Sequence, residues 1–110
     1  MDINGKTIVI TGGGQGLGRA MAVYLAGSGA CLALIDLNAE KLAETAALCR
    51  AAGGSAHTYL ANVAREEEVI ATFERIVADT GAVHGLINNA GILRDGLMLK
   101  AKDGKIEKRL

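Results

Sequence analysis

Near the amino terminus, Thr11-Gly12-Gly13-Gly14-Gln15-Gly16-Leu17-Gly18 has the composition of a turn built to hold an anion. Glycine has no Cβ, so such a turn can take positive φ, bring backbone N–H groups up to a phosphate, and let a helix pack closely on the strand before it. The glycines fall in the register Gly12-x3-Gly16-x-Gly18. The pattern G-x-G-x-x-G does not fit, because it meets Leu17 when read from Gly12 and Arg19 when read from Gly14. A Walker A reading from Gly13 puts Arg19 and Ala20 where Lys and Ser or Thr are required. With no phosphate lysine and no Mg²⁺ hydroxyl, ATPase chemistry is disfavoured. The competing reading is a merely flexible turn.

A second group with chemical potential is Asp36, which ends the apolar run Ala33-Leu34-Ile35. It follows the glycines at close to the roughly 20-residue interval at which an acid accepts hydrogen bonds from an adenosine ribose. A carboxylate there pairs with ribose hydroxyls and repels a 2′-phosphate, and Gly13 and Gly14 supply no Arg or Lys to compensate. NAD is therefore expected over NADP. The alternative is an Asp that only caps the helix after it. On the cofactor reading, the contacts are Gly12, Gly14, Gln15, Gly16, Leu17 and Gly18 of the turn, with Asp36 and Leu37 after the second strand.

The elements that must position these groups are legible in the patterning. Thr7-Ile8-Val9-Ile10 is a β-branched run of the kind buried on both faces of a sheet. Leu17, Ala20, Met21, Tyr24 and Leu25 recur with helical spacing and predict the apolar stripe of a first helix, with Gly27 and Gly29 as stops. Cys31 to Ile35 is a second strand, followed by a helix capped by Asn38, carrying Leu42, Ala46 and Cys49, and stopping at Gly53-Gly54. Ala56 to Leu60 is a third strand. A third helix over 65–80 has Glu66, Glu67 and Glu68 in its first turn, where the helix dipole favours acids, and Val69, Phe73, Ile76 and Val77 on its inner face. Gly81 closes it, and Leu86-Ile87-Asn88-Asn89 is a fourth strand. The order βαβαβαβ with short links predicts an α/β fold, a parallel sheet with right-handed crossovers.

Residues 92–110 break this pattern. Lys102-Asp103-Gly104-Lys105, between Leu97-Met98-Leu99 and Ile106, predicts a hairpin with a two-residue turn. The segment is basic, with Arg94, Lys100, Lys102, Lys105, Lys108 and Arg109 against Asp95, Asp103 and Glu107. A solvated hairpin is the expectation, and a phosphate or partner patch the alternative. The division expected is thus a dinucleotide-binding unit at 1–91 and a hairpin or tail at 92–110.

Composition narrows the function classes. The 110 residues are half hydrophobic and carry 12 basic and 12 acidic side chains, enough for one domain with a core and no net field toward nucleic acid or an acidic membrane. Aromatic residues make up only 3%, which removes the stacking platforms of single-strand binders. Cys31, Cys49, His57 and His84 form no metal or redox motif. Neither a signal-like leader nor an apolar run of membrane-spanning length is present, so a soluble cytoplasmic protein is expected.

With these residues in place, the chain resembles the short-chain dehydrogenase/reductase family, through Thr11-Gly12-x3-Gly16-x-Gly18 and Asn88-Asn89-Ala90-Gly91. Asn62-Val63 and Gly91-Ile92-Leu93-Arg94-Asp95 are most similar to its 3-oxoacyl-acyl-carrier-protein reductase branch. The resemblance implies the first part of a Rossmann-type doubly wound sheet, strand order 3-2-1-4, and a homo-oligomer at full length. It further implies hydride transfer between a nicotinamide dinucleotide and a small carbonyl or alcohol substrate. Asn62 and Val63 would then border the adenine, Asn89, Ala90 and Gly91 the nicotinamide-side ribose, while Asn88 steadies the sheet. Amide side chains that only bridge neighbouring strands are the alternative for Asn88 and Asn89.

The resemblance also implies a catalytic Tyr four residues before a Lys, with a Ser and an Asn. The residues four beyond Tyr24 and Tyr59 are Ser28 and Val63, so neither tyrosine fits, and Ser28 and Ser55 fall away from the carboxyl ends of the strands. No catalytic residue is assigned. The expectation is the cofactor half of an enzyme of roughly 250 residues, inactive by itself, with its fourth strand left as an apolar edge. A non-catalytic dinucleotide-binding or subunit-pairing module, and an interaction fragment that binds nothing, are the rival readings.

Overall fold

Val9 and Ile10 are adjacent on one strand and point to opposite faces, yet neither is exposed at all, so this strand is covered on both sides. It is β1 (Thr7–Thr11), an inner strand of a parallel sheet. The structure is a computed structural model that describes residues 2–90 and, in backbone, residues 98–102 and 105–109. After β1 come α1 (Gly16–Ala26), β2 (Cys31–Asp36), α2 (Ala39–Ala51), β3 (Ser55–Leu60), α3 (Glu66–Thr80) and β4 (Gly85–Asn88). The strands lie in the order β3-β2-β1-β4, all parallel, as expected. In register, Thr11 sits between Ile35 and Asn88, which brings the carboxyl ends of β1, β2 and β4 level with one another.

Alternation along the strands feeds two cores. Ile10, Leu32 and Leu34 pack with Ala22 and Ala26 of α1 and Leu42, Ala46 and Cys49 of α2. Val9, Ala33, Ile35 and Tyr59 pack on the other face with Val69, Phe73 and Ile76 of α3. Helices thus cover both faces of the sheet, the doubly wound arrangement. The expected caps are in place: Asn38 Oδ1 accepts from Lys41 N–H at 3.0 Å, and Gly81 ends α3 in the left-handed region at φ 87°.

The first helix departs from expectation. Leu17 and Tyr24, assigned to its inner stripe, are 66% and 78% exposed, and its buried residues are Gly18, Ala22 and Ala26. The helix packs on its small face because that face allows close approach to the sheet and to α2. Met21 and Leu25 of the expected stripe are partly buried against the core, and with Tyr24 they border an open groove beside Ile87 of β4. The fourth strand is also offset by one residue, so Asn89 lies just past its end.

Two further antiparallel strands, β5 (Met98–Lys102) and β6 (Lys105–Arg109), form the expected hairpin-like segment, with Lys102 paired to Lys105. The Asp103-Gly104 turn lies outside the described residues, as does Gly91. No helix among the described residues is long and apolar enough to cross a membrane.

Candidate functional site

The turn between β1 and α1 is held from both sides. Gly12 and Gly16 have φ of 67° and 60°, in the region glycine alone enters readily. Gly18 has the opposite need: a Cβ there would run into the Gly12 carbonyl, so the helix closes on the turn only because that atom is missing. Gly13 N–H donates to the Ile35 carbonyl at 3.1 Å, and Asn89 Nδ2 donates to the Gly12 carbonyl at 3.3 Å. α1 then opens with Gln15 at the N-cap, without a side-chain cap and without an acid in its first turn. Such a helix start, with its positive dipole end and backbone N–H groups, suits an anionic group.

Asp36 at the end of β2 is fixed rather than loose. Its Oδ2 accepts from Gly14 N–H at 2.9 Å and its Oδ1 from Leu37 N–H at 2.7 Å. Each carboxylate oxygen keeps acceptor capacity for a second donor. The capping alternative does not hold, because Asn38 supplies the α2 cap.

Beyond β4, Thr11 Oγ1 donates to Asn88 Oδ1 at 2.8 Å and accepts from Ala90 N–H at 3.1 Å. Asn88 therefore ties β4 to β1, while Asn89 supports the glycine turn. After β3, Ala64 N–H donates to Asn62 Oδ1 at 2.9 Å, and Asn62 N–H donates to Glu68 Oε1 at 3.0 Å. Glu68, expected to serve only the dipole of α3, also secures this loop.

These pieces converge on one cleft of about 130 Å³ at the carboxyl end of the sheet. Gly12, Asp36, Leu37, Asn62, Val63 and Ala90 line it, together with Ile35 and Ala61. Gly14, Gln15, Gly16, Leu17, Gly18 and Asn89 stand around it in the turn and its support rather than in its lining, and Gly91 lies outside the described residues. Apolar walls with a carboxylate at one edge and a helix start at another suit a flat, partly apolar ring carrying hydroxyls and a phosphate.

Proton-transfer groups are elsewhere. Tyr59 is 1% exposed on the α3 side, where it donates to Asp79 Oδ2 at 2.7 Å, and Tyr24 stands on the open side of α1. Among the described residues no Ser or Tyr lines the cleft, and no group of three or more His, Cys, Asp or Glu could hold a metal ion.

Patterning alone missed Arg19 and Thr45. Arg19 donates from Nε and Nη2 to the Gly14 carbonyl at 3.1 and 2.7 Å, and buried Thr45 of α2 donates to the same oxygen at 3.0 Å. The only signal available was an arginine directly after the last glycine of the turn.

A family model described as short chain dehydrogenase matches residues 6–110. The 2,5-dichloro-2,5-cyclohexadiene-1,4-diol dehydrogenase of Sphingobium indicum is 42% identical over 98 residues, covering 89% of this chain and 38% of that protein. Among solved structures, NAD+-bound xylitol dehydrogenase superposes with a TM-score of 0.75 at 38% identity, over 78% of this chain and 33% of that one. A metagenomic short-chain oxidoreductase in complex with NADP superposes with a TM-score of 0.78 at 30% identity, over 84% of this chain and 42% of that one. The chain thus spans well under half the length of each of these three relatives.

Proposed function

Since the chain belongs to the short-chain dehydrogenase/reductase family, we propose that it supplies the cofactor-binding part of an oxidoreductase, and that its cofactor is NAD in preference to NADP. The observation that carries this reading is the Asp36 carboxylate, pinned by Gly14 N–H and Leu37 N–H at the edge of the cleft. The residues present fit such a cofactor, because α1 opens with no side-chain cap and no acid in its first turn, and the space beside Gly16, at φ 60°, is open to a phosphate. On this reading Leu37, Asn62 and Val63 border the adenine, Asp36 accepts from the adenosine ribose, and Gly12, Gly14, Gln15, Gly16, Leu17 and Gly18 surround the diphosphate. Asn89, Ala90 and Gly91 border the second ribose. The bound dinucleotide supplies the two-electron redox chemistry.

The relatives' bound cofactors include both NAD+ and NADP, so the preference rests on this chain's own charges. A 2′-phosphate beside Asp36 would meet a like charge. Two cations beside the glycine turn are engaged, Arg19 with the Gly14 carbonyl and Lys41 Nζ with Glu44 at 3.8 Å.

For the whole protein we propose hydride transfer to or from a small carbonyl or alcohol substrate, in a cytoplasmic homo-oligomer. Within that class, Asn62-Val63 and residues 91–95 support a 3-oxoacyl reductase. The unit assigned to the cofactor is 1–91, with 92–110 apart from it. The second reading, a dinucleotide-binding or subunit-pairing module without chemistry, draws on the absence of Ser and Tyr from the cleft among the described residues.

Isothermal titration with NAD+ and NADP+, on the native sequence and Asp36→Ala, tests the proposal. Binding of NAD+ that weakens in the variant, with NADP+ gaining relative to it, is the expected result. Equal affinity of the folded native protein for both dinucleotides, or for neither, would overturn it.

A further inference from the structure

We infer that Arg19 is a positioning residue for cofactor selectivity, acting on Asp36 through the peptide of Gly14; the inference rests on the cofactor reading above. Gly14 is a junction in the structure. Its N–H is bonded to Asp36 Oδ2 at 2.9 Å, and its carbonyl accepts three hydrogen bonds, two from the Arg19 guanidinium and one from Thr45 Oγ1. Arg19 Nε also lies 2.9 Å from Thr45 Oγ1, so arginine, threonine and carbonyl form one closed set. Gly14 is buried and Thr45 is wholly so, which places these bonds where water cannot readily replace them. The guanidinium also donates to the Lys41 carbonyl at 3.3 Å, and its contact to Glu44 at 3.0 Å is partly solvated and contributes less.

The lever works through planarity. The C=O of Gly14 and the N–H of Gln15 share one rigid trans peptide and point in opposite directions. Holding the carbonyl toward Thr45 of α2 therefore turns the Gln15 N–H away from α2. The N–H of Gly14 itself stays on the carboxylate. One guanidinium thus sets both a donor at the start of α1 and the position of the acid at the ribose. The room is narrow, since a Cβ on Gly14 would come within 2.7 Å of Asp36 Oδ2 and 3.0 Å of Lys41 Cβ. If the carbonyl is released, ψ of Gly14 is no longer held, the residue can shift in its seat, and its N–H, which belongs to the preceding peptide, loosens on the Asp36 carboxylate.

The prediction separates Arg19 from a residue that only adds stability. In Arg19→Met, NAD+ binding should weaken about tenfold, the equivalent of one lost hydrogen bond to a charged group. NADP+ binding, which the fixed carboxylate opposes, should change by less than about threefold, so the selectivity ratio falls. Thr45→Val should move the ratio in the same direction by a smaller factor, and Arg19→Lys, which keeps one donor, should recover part of it. In an Asp36→Ala background, Arg19→Met should have almost no further effect on NAD+ affinity, because the group it positions is gone. Without any cofactor, hydrogen exchange at Gly14 N–H should accelerate about tenfold in Arg19→Met while Leu34 of β2 is unchanged.

Equal losses of NAD+ and NADP+ affinity that track thermal stability would overturn the inference, as would additive effects of the two substitutions or unchanged exchange at Gly14. Failure of the native protein to bind NAD+ overturns the cofactor reading itself and the selectivity role with it, and Arg19-dependent protection of Gly14 would then describe the fold alone.

Discussion

Asp36 and Gly18 act by opposite means, one through a group it carries and the other through an atom it lacks. Removing the carboxylate in Asp36→Ala takes away an ionised acceptor, worth about 1.5–3 kcal/mol when it bonds a ligand hydroxyl, so NAD+ affinity is expected to drop about tenfold or more by titration calorimetry. Gly18→Ala places a methyl on the Gly12 carbonyl, and α1 must move off the turn to relieve it. The expected cost is about 1–3 kcal/mol, read from the urea midpoint. Thr11 belongs with these two, because its hydroxyl both donates to Asn88 and accepts from Ala90 N–H at the end of β1. Thr11→Val keeps the shape and removes both hydrogen bonds, for an expected loss of about 1–3 kcal/mol by the same measurement.

The elements position the site in proportion to how firmly they are seated. Ile76 of α3 is fully buried against Val9, Ala33 and Ile35, so Ile76→Ala should cost about 2–5 kcal/mol in chemical denaturation and loosen the loop that Glu68 secures at Asn62. Asn38→Ala removes the side-chain cap of α2 and should cost about 1 kcal/mol. α2 carries Thr45 and thereby backs the glycine turn, so this cap also bears on the site. α1 shows how an element can contradict its own periodicity: Leu17 and Tyr24 have the spacing of a buried stripe, but burial went to Gly18, Ala22 and Ala26. A narrow gap between helix and sheet selects for small side chains more strongly than hydrophobicity selects for large ones.

At the scale of the molecule, one titration and one edge have consequences. Burial first, and then the hydrogen bond to Asp79 with its charge, push the Tyr59 phenol well above its ordinary value, against a lowering by Arg75. The unfolded chain ionises this phenol near pH 10. The contribution of neutral Tyr59 is thus fully present below about pH 10 and is lost as pH rises beyond it. Denaturation midpoints should fall more steeply above pH 10 in the native sequence than in Tyr59→Phe. Within the described four-stranded sheet, β4 is paired on one side only and Leu86 is 45% exposed. The isolated chain is expected to self-associate with rising concentration in sedimentation, and less so with Leu86→Lys.

While the strand order 3-2-1-4 came from the family resemblance, the alternation of apolar runs with helical spacing, together with glycines where β1 meets α1, was enough to read from sequence the fold class and the ends of α2 and α3. These are local signals, written in consecutive residues by side-chain period and by the special backbone of glycine. Asp36 was legible for the same reason, since it ends a strand at a fixed distance from the turn. Tertiary structure alone decided which face of α1 is buried, that Asn88 serves Thr11 while Asn89 serves Gly12, and that Arg19 and Thr45 meet at the Gly14 carbonyl. Those contacts join residues far apart in the chain, and neither composition nor period encodes which of several compatible neighbours a side chain meets once helices and sheet are packed.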